Sequence, residues 1–109
     1  INNGFLGMVR QWQSLFYDDR RSQVELPQAL PDLVRLAEAY GIPGFRVERV
    51  EDLAPTLEKA AAITDRPVVV DLRVDPEEMV FPMVPSGASN DELIESAEEW
   101  YAKQAEVSA

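Results

Sequence analysis

Apolar residues near the start of the chain recur at three- and four-residue spacing, which is the period of one helix face. The pattern predicts a helix from about Phe5 to Asp19 with one broad apolar face. That face carries, with Met8 beside it, Leu6, Val9, Trp12, Leu15 and Phe16. The segment from Ser22 to Pro31 has two prolines and no clear period, so it predicts an irregular connection. Asp32 can cap a second helix, which should end at Gly41.

Two later segments have the pattern of strands. Residues 45–50 alternate between apolar and polar side chains, and residues 68–74 begin as a continuous apolar run before they alternate. The spacing between them predicts a helix from about Asp52 to Ile63, with Pro55 accommodated in the first turn. A strand, a helix and a strand of these lengths form a crossover unit, so we expect the two strands to be parallel. The expected fold class is therefore α/β.

The last part of the chain predicts an acidic helix over about residues 89–109. Ser89-Asn90-Asp91-Glu92 has the form of a capping box, in which a serine is followed three residues later by a glutamate. The apolar residues expected to be buried along this helix are Leu93, Ile94, Ala97, Trp100 and Tyr101. Residues 75–109 hold nine acidic side chains and one basic side chain, so they carry most of the formal charge of −10. The simplest interpretation is a solvated helix face that aids solubility.

Length and composition limit the fold and its chemistry. A chain of 109 residues suffices for one small domain, so we expect one hydrophobic core. The absence of cysteine and histidine leaves carboxylates, amides or a bound cofactor to carry any chemistry. The acidity disfavours nucleic acid and anionic membranes as partners, because both are recognised through basic side chains. The apolar runs are far shorter than a membrane span and no signal segment opens the chain, so a cytoplasmic location is expected.

Two parallel strands are too few for a stable sheet, because parallel sheets normally have more strands and helices on both faces. We therefore expect the chain to be the C-terminal portion of a longer doubly wound parallel-sheet domain, consisting of one βαβ unit with flanking helices. Ile1 is expected to be the last residue of a further strand. Such a portion on its own should be inactive, and its exposed strand edges should leave it self-associating or only marginally folded.

Asn2 and Asn3, followed by Gly4 and the start of the first helix, are the residues that most suggest a binding site. Amide oxygens suit a hard cation such as Mg²⁺ and helix N-termini favour anions, so this segment could hold a cation together with a phosphate. The same residues also readily form a tight turn. The residues alone leave both interpretations open. At the end of the second strand, Asp71 and Asp75 are interpreted as turn or cap residues rather than as a catalytic pair.

The longer segment around the asparagines resembles the cofactor-binding domain of the acetohydroxyacid synthase family, also called acetolactate synthase, large subunit. The resemblance rests on residues 2–3 with 6–17, and it continues in residues 32–44, 67–71 and 81–90. It implies the C-terminal part of a thiamine-diphosphate-binding domain. Enzymes of this family decarboxylate pyruvate and join the two-carbon unit to pyruvate or 2-ketobutyrate, in the biosynthesis of branched-chain amino acids. The implied cofactors are thiamine diphosphate and Mg²⁺, with FAD in the family.

The resemblance also implies roles for individual residues. Asn3 matches the asparagine that ligates Mg²⁺, and Phe5 matches the position whose main-chain carbonyl reaches the metal. Further cofactor contacts are implied for Gly7, Met8 and Val9. Trp12 matches a tryptophan that lines the substrate channel and contacts sulfonylurea herbicides, and Phe16 would stand behind it as support. No catalytic side chain is implied here, because the glutamate that activates the cofactor lies on the neighbouring subunit in this family.

Several alternatives stand beside this interpretation. From spacing alone, Met8, Val9 and Trp12 are ordinary residues of a helix core. As for partner subunits, the family interpretation itself implies homodimers or tetramers of catalytic subunits and a possible regulatory small subunit. Another thiamine-diphosphate carboligase or oxidase is the nearest rival, from which the segment Met8–Trp12 distinguishes the synthase. A rival of another class is an acidic interaction module without catalysis, which would ignore thiamine diphosphate.

Overall fold

Two short parallel strands form the sheet in the computed structural model, which describes residues 1–26 and 30–107. Strand β1 spans Gly44–Val47 and strand β2 spans Val69–Leu72, and their register places Arg46 opposite Asp71. The α/β class and the parallel pairing are confirmed. Both strands are shorter than the sequence pattern predicted: β1 ends before residues 48–50, and β2 leaves out residue 68 and residues 73–74.

Asn2 lies beside β2, on the edge that β1 does not use. Its N–H donates to the Leu72 carbonyl at 2.8 Å and its carbonyl accepts from the Val74 N–H at 3.2 Å, which forms a parallel bridge to Arg73. On the other edge of β2, the Arg73 N–H donates to the Val47 carbonyl at 2.9 Å. Successive strand residues direct their main-chain groups to opposite sides, so Asn2 occupies the position of a third strand.

The helices that flank the sheet begin at nearly the residues that the sequence predicted. Helix α2 spans Leu33–Ala39, and the Asp32 carboxylate caps it by accepting from the N–H groups of Val34 at 3.0 Å and Arg35 at 3.2 Å. The pKa of the Asp32 carboxyl is lowered by these main-chain donors, and the N–H of Arg35 contributes most. Helix α3 spans Leu53–Ala61 after a single 3₁₀ turn, so it lies within the predicted helix.

Glycine at position 44 allows the start of β1 to approach α2 closely. A Cβ atom at Gly44 would lie 3.0 Å from both the Cα and the carbonyl oxygen of Val34, and 3.2 Å from the Cβ of Ala37. Any larger residue would therefore push the main chains of the strand and the helix apart. This close approach accompanies the burial of Ala37 and Val47, which are both nearly inaccessible to solvent.

The first helix is shorter than predicted, and only part of its apolar face is buried. Helix α1 spans Gly7–Phe16, whereas the apolar spacing predicted Phe5 to Asp19. Leu15 is buried and Phe16 is half-buried. The other side chains of the apolar face, those of Leu6, Met8, Val9 and Trp12, are exposed, so the interpretation as core residues from spacing alone is wrong for Met8, Val9 and Trp12.

The terminal helix begins later than the capping box predicted. Helix α4 spans Ala97–Val107, and the Glu99 N–H donates to Ser96 Oγ at 3.2 Å at its start. Ser96 and Glu99 have the same spacing as the predicted pair, so the sequence holds two candidate caps. Trp100 is half-buried, but Tyr101 is exposed, so the prediction that both are buried is wrong for the tyrosine.

The predicted capping box closes an isolated turn instead of a helix. Ser89 N–H donates to a Glu92 carboxylate oxygen at 2.7 Å, which is half of the expected reciprocal contact. The chain then forms an antiparallel bridge in which Met83 and Ile94 exchange two hydrogen bonds of 3.0 and 2.8 Å. Ile94 is buried as predicted, whereas Leu93 is exposed.

The described chain divides into two compact units, whereas its length led us to expect one core. Unit 1 comprises residues 1–5 and 25–77, and unit 2 comprises residues 6–24 with the described residues from 78 onward. The buried apolar side chains are distributed over both units: Ala37 and Val47 in unit 1, and Leu15, Val24 and Ile94 in unit 2. Each unit also buries polar side chains, so neither core is purely apolar.

Parts of two predicted segments lie outside the described residues. These parts are residues 27–29 of the predicted connection and residues 108–109 of the predicted terminal helix. Within unit 1, Phe5 and Glu25 form an isolated antiparallel bridge. Within unit 2, the Leu6 N–H donates to the Val24 carbonyl at 2.9 Å. In the ranges that the structure describes, the helices are too short or too polar to cross a membrane.

Candidate functional site

Two successive asparagine turns shape the start of unit 1. Asn2 Oδ1 accepts from the Gly4 N–H and Asn3 Oδ1 accepts from the Phe5 N–H, each at 3.0 Å. Gly4 has a φ of 75°, a left-handed conformation that glycine adopts without strain. The turn interpretation of this segment is therefore confirmed. It does not compete with the cation interpretation, because an amide oxygen that accepts one hydrogen bond retains a second lone pair.

Asn3 and Phe5 present oxygen atoms of the kind that a hard cation prefers. One is a side-chain amide oxygen and the other a main-chain carbonyl, and both residues are half-buried. Both of these oxygen ligands are neutral, so the charge of a cation bound there has to be balanced by an anion. Among the described residues, no cluster of three or more acidic side chains could hold a metal. The donor set thus suits a cation that binds together with a phosphate.

A buried carboxylate, which the sequence interpretation missed, anchors the asparagine turns. The Asp71 side chain is 0% exposed, and its Oδ1 accepts from Asn2 Nδ2 at 2.9 Å. Its Oδ2 lies 3.2 Å from Arg46 Nε and 3.3 Å from Arg73 Nε. The interpretation of Asp71 as a turn or cap residue is wrong. The signal that could have revealed it is its position inside a strand, where a buried charge needs partners.

Arg46 extends this cluster to the start of α2. Its Nη2 donates to Asp32 Oδ1 at 2.8 Å, so one guanidinium contacts both the helix cap and the buried carboxylate of β2. Asp75 does not belong to the cluster. Its Oδ1 accepts from the Glu77 N–H at 2.8 Å, which confirms the prediction that it is a turn residue.

Helix α1 begins in unit 2 without a capping side chain. Leu6 is its N-cap residue, and within the part of the chain that the structure describes no side chain caps it there. The first bond of the helix runs from the Arg10 N–H to the Leu6 carbonyl at 2.9 Å, so the preceding N–H groups have no acceptor within the helix. Those groups belong to Gly7, Met8 and Val9, the predicted cofactor contacts. Such a helix start favours an anion through its N–H donors and its dipole.

The same helix turns a row of apolar side chains toward solvent. Met8 and Val9 are each 49% exposed and Trp12 is 36% exposed. With Gln13 and Tyr17 they line an open groove of about 410 Å³. The interpretation of Met8, Val9 and Trp12 as core residues is wrong. Contiguous apolar surface of this kind commonly marks a position where a ligand or a partner binds.

The opposite face of α1 is polar and buried. Gln11 is 1% exposed, and its amide pairs with the main chain of Val80, donating to the carbonyl at 2.9 Å and accepting from the N–H at 2.8 Å. Arg10 Nη2 donates to the Glu78 carbonyl at 2.7 Å, and Ser14 Oγ donates to Asp19 Oδ1 at 2.6 Å. A prediction from apolar periodicity places polar positions in solvent, so it could not identify this buried polar face of α1.

Phe16 lies between two tryptophans in unit 2. Its ring makes edge-to-face contacts with Trp12, at a centroid distance of 5.6 Å, and with Trp100 at 5.2 Å. Trp100 Nε1 in turn donates to the Leu15 carbonyl at 2.8 Å. The expected contact of Phe16 behind Trp12 is present, while their role in a substrate channel remains a prediction.

The chain matches a family of cofactor-dependent enzymes. The sequence profile of the thiamine pyrophosphate enzymes, for their C-terminal TPP binding domain, matches residues 1–72. The chain belongs to this family. The matched span of this thiamine-diphosphate domain contains the Asn3 turn, all of α1 and both strands of the sheet. The prediction of a thiamine-diphosphate-binding domain is thereby confirmed.

Curated relatives of this thiamine-diphosphate domain are acetolactate synthases. The acetolactate synthase of Mycobacterium bovis is 54% identical over 96 residues, which are 85% of this chain and 16% of the relative. The large subunit of Corynebacterium glutamicum is 47% identical over 85% of the chain and 15% of the relative. The isozyme 3 large subunit of Escherichia coli is 44% identical over 85% of the chain and 16% of the relative. The predicted resemblance is confirmed, and the chain spans about a sixth of the length of these relatives.

Proposed function

We propose that this chain is part of the catalytic subunit of an acetolactate synthase. The enzyme would decarboxylate pyruvate and join the two-carbon unit to pyruvate or 2-ketobutyrate, in the biosynthesis of branched-chain amino acids. The observation that supports this proposal most directly is the orientation of α1. The segment Met8–Trp12, which resembles the synthase, presents its apolar side chains to solvent while its polar side chains are buried. Relatives that are named acetolactate synthase share 40 to 54% identity with the chain.

The proposal assigns the cofactor to the start of the chain. Asn3 Oδ1 and the Phe5 carbonyl would hold Mg²⁺, and the N–H groups of Gly7, Met8 and Val9 would favour the negatively charged diphosphate. Thiamine diphosphate supplies the electron sink for cleaving the bond between the carboxylate and the carbonyl carbon of a 2-ketoacid. The side chains of Met8 and Val9 would keep water from the cofactor, which strengthens the electrostatic interactions around it.

Trp12 is proposed to line the substrate channel, with Phe16 as its support. The exposed indole offers a flat apolar surface that can distinguish second substrates by the size of their alkyl group, and flat aromatic sulfonylureas suit the same surface. Trp12→Leu should therefore weaken sulfonylurea inhibition while acetolactate formation stays measurable. Trp100→Leu is the contrast, because it removes the hydrogen bond to Leu15 and should lower the melting temperature. Equal melting temperatures of the two variants would contradict the proposal for Trp12.

The broader assembly is also part of the proposal. It includes FAD, homodimers or tetramers of catalytic subunits, a regulatory small subunit and a cytoplasmic location. Its support is family membership together with relatives that are named large subunits. Size-exclusion chromatography of the complete gene product, with its flavin absorbance spectrum, tests the oligomer and FAD, and a monomer without flavin would contradict both.

The main experiment compares two asparagines in the complete gene product. Calorimetry would measure thiamine diphosphate binding as a function of Mg²⁺, and a colorimetric assay would measure acetolactate formed from pyruvate. Asn3→Ala should raise the half-saturating Mg²⁺ concentration at least about tenfold, because the metal loses one of its oxygen ligands. Asn90→Ala changes an exposed turn residue and should leave that concentration unchanged.

Three other outcomes would overturn parts of the proposal. Cofactor binding without acetolactate formation would indicate another thiamine-diphosphate carboligase or oxidase. No binding of thiamine diphosphate by the unaltered protein would favour the acidic interaction module. An unchanged Mg²⁺ requirement in the Asn3→Ala variant would exclude Asn3 as the ligand.

A further inference from the structure

We propose that Asp71 is a positioning residue for the cation site at Asn3, an inference that rests on the proposed function. A continuous series of hydrogen bonds within unit 1 supports it. Asp71 Oδ1 accepts from Asn2 Nδ2 at 2.9 Å, and Asn2 Oδ1 accepts from the Gly4 N–H at 3.0 Å. Both ends of the Asn2 amide are therefore used, one by the buried carboxylate and the other by the turn that contains Asn3.

The contact with Asn2 is separate from the contacts that hold the sheet together. Arg46 lies opposite Asp71 in the strand register, and Arg46 and Arg73 both approach Oδ2 of the carboxylate. These two ion pairs link β2 to Arg46 of the neighbouring strand and to Arg73, the residue that follows β2. They also offset the free-energy cost of burying the charge of Asp71. The Asn2 amide approaches Oδ1 instead. The hydrogen bond between Asn2 and Asp71 is not needed for β1 to pair with β2. This bond therefore needs a different explanation.

Orientation of the asparagine turns provides that explanation. The main chain of Asn2 is fixed by its bridge to Arg73, but its side chain could rotate without a partner. Asp71 fixes the amide so that its oxygen points to the Gly4 N–H, and the turn after Asn2 then has one conformation. The adjacent residue, Asn3, is thereby held in the conformation that directs its oxygen to the metal. Residues that orient metal ligands in this way typically change metal affinity about 10- to 100-fold when they are replaced.

The test measures metal binding directly in the complete gene product. Mn²⁺ replaces Mg²⁺, and electron paramagnetic resonance of the free ion gives its dissociation constant in the presence of thiamine diphosphate. Asp71→Asn should weaken Mn²⁺ binding about 10-fold or more. An amide at position 71 has to direct its NH₂ group either toward the two arginines or toward the NH₂ group of Asn2, and each arrangement places donors against donors.

A double variant separates positioning from general destabilisation. In Asn2→Asp combined with Asp71→Asn, the amide at position 71 can donate to the new carboxylate and still accept from Arg46 and Arg73. The second oxygen of the new carboxylate can accept from the Gly4 N–H. We expect the double variant to recover Mn²⁺ affinity to within about threefold of the unaltered protein, because the hydrogen-bond series is restored. Failure of the double variant to recover any affinity would overturn the inference.

Arg46→Gln is the matched control. It breaks two ion pairs of the same cluster but leaves the Asn2 contact in place, so it should lower the melting temperature without changing Mn²⁺ affinity. Equal loss of affinity in Arg46→Gln and Asp71→Asn would show a structural role only. Full Mn²⁺ affinity in Asp71→Asn, with affinity lost in Asn3→Ala, would overturn this inference and leave the proposed function intact. If neither Asp71→Asn nor Asn3→Ala loses Mn²⁺ affinity, both this inference and the proposed function are overturned.

Discussion

Asp71 in unit 1 and Gln11 in unit 2 are both buried polar side chains, and their hydrogen bonding is satisfied in different ways. Asp71 in unit 1 is charged, and two arginines that still reach solvent share one of its oxygens. Gln11 in unit 2 is neutral, and it pairs with both main-chain groups of Val80. A buried charge needs an opposite charge because its desolvation is costly, whereas a buried amide needs only complete hydrogen bonding. The surroundings of Asp71 should therefore be sensitive to changes of charge, and those of Gln11 to loss of a hydrogen-bond partner.

The largest effect is expected where the buried amide is removed from unit 2. Gln11→Ala leaves the N–H and the carbonyl of Val80 without their partner, and should lower the free energy of unfolding by about 2–4 kcal/mol. Gln13 is the control, because it makes the same two-bond pair with the main chain of Ser22 in an exposed position. Gln13→Ala should cost about 0.5 kcal/mol, since water can replace its hydrogen bonds. Urea denaturation measures both, and equal losses would contradict the comparison.

An intermediate effect is expected from a change of charge in unit 1. Arg46→Met removes the ion pairs with Asp71 and Asp32, and should lower the free energy of unfolding by about 1–2 kcal/mol, because Arg73 still contacts Asp71. Arg49→Met removes only a surface pair with Glu51, so it should cost at most about 0.5 kcal/mol. Thermal melting at low and high salt would measure the loss of stability in the Arg46→Met and Arg49→Met variants. A larger loss for Arg49→Met would show that burial of the carboxylate is not decisive.

The smallest effect concerns an exposed carboxylate in unit 2. Hydrogen bonds from Ser14 and then Arg21 hold the pKa of the Asp19 carboxyl below its ordinary value. A carboxyl whose pKa is lower in the folded chain adds stability at neutral pH, and that stability is lost as the pH falls through the folded pKa. Ser14→Ala should raise the pKa of Asp19 toward its ordinary value, whereas Ser96→Ala should leave it unchanged. Carboxyl-carbon NMR titration checks this, and an unshifted Asp19 in the Ser14 variant would exclude the serine as the cause.

The crossover in unit 1 could be predicted because its signals are local. Asp32 caps α2, the chain turns at Gly41, and two apolar segments become parallel strands. Apolar period and turn residues report on neighbours in the sequence, and such neighbours largely determine where each of these elements forms. The strand ends were predicted too long because a pattern of alternation does not show where pairing stops.

Elements that depend on distant partners could not be predicted in the same way. The pairs Ser89 with Glu92 and Ser96 with Glu99 have the same spacing, and only the second begins a helix. The first is diverted because Ile94 bridges to Met83, a contact that no capping rule contains. For α1, the apolar face was recognised, but the burial of the opposite, polar face was not predicted, because polar partners far along the chain determine it.

The candidate site shows the same division between local and distant signals. The asparagine turn and a helix start soon after it follow from residues that are adjacent in the sequence, and both could be anticipated. Asp71 could not be assigned, because its partners Asn2 and Arg46 are 69 and 25 residues away. The roles of Asn3, Phe5 and Trp12 in binding stay predictions that the proposed titrations would test.

Unit 2 closes over a long stretch of chain, and this determines when it can form. Residues 6–24 meet residues from 78 onward, so the whole of residues 25–77 has to be made before α1 finds Val80 and Trp100. Contacts between distant residues carry a larger loop-closure cost and form later than the local contacts of the crossover. During synthesis, the buried side of α1 therefore leaves the ribosome before its partners Val80 and Trp100 do.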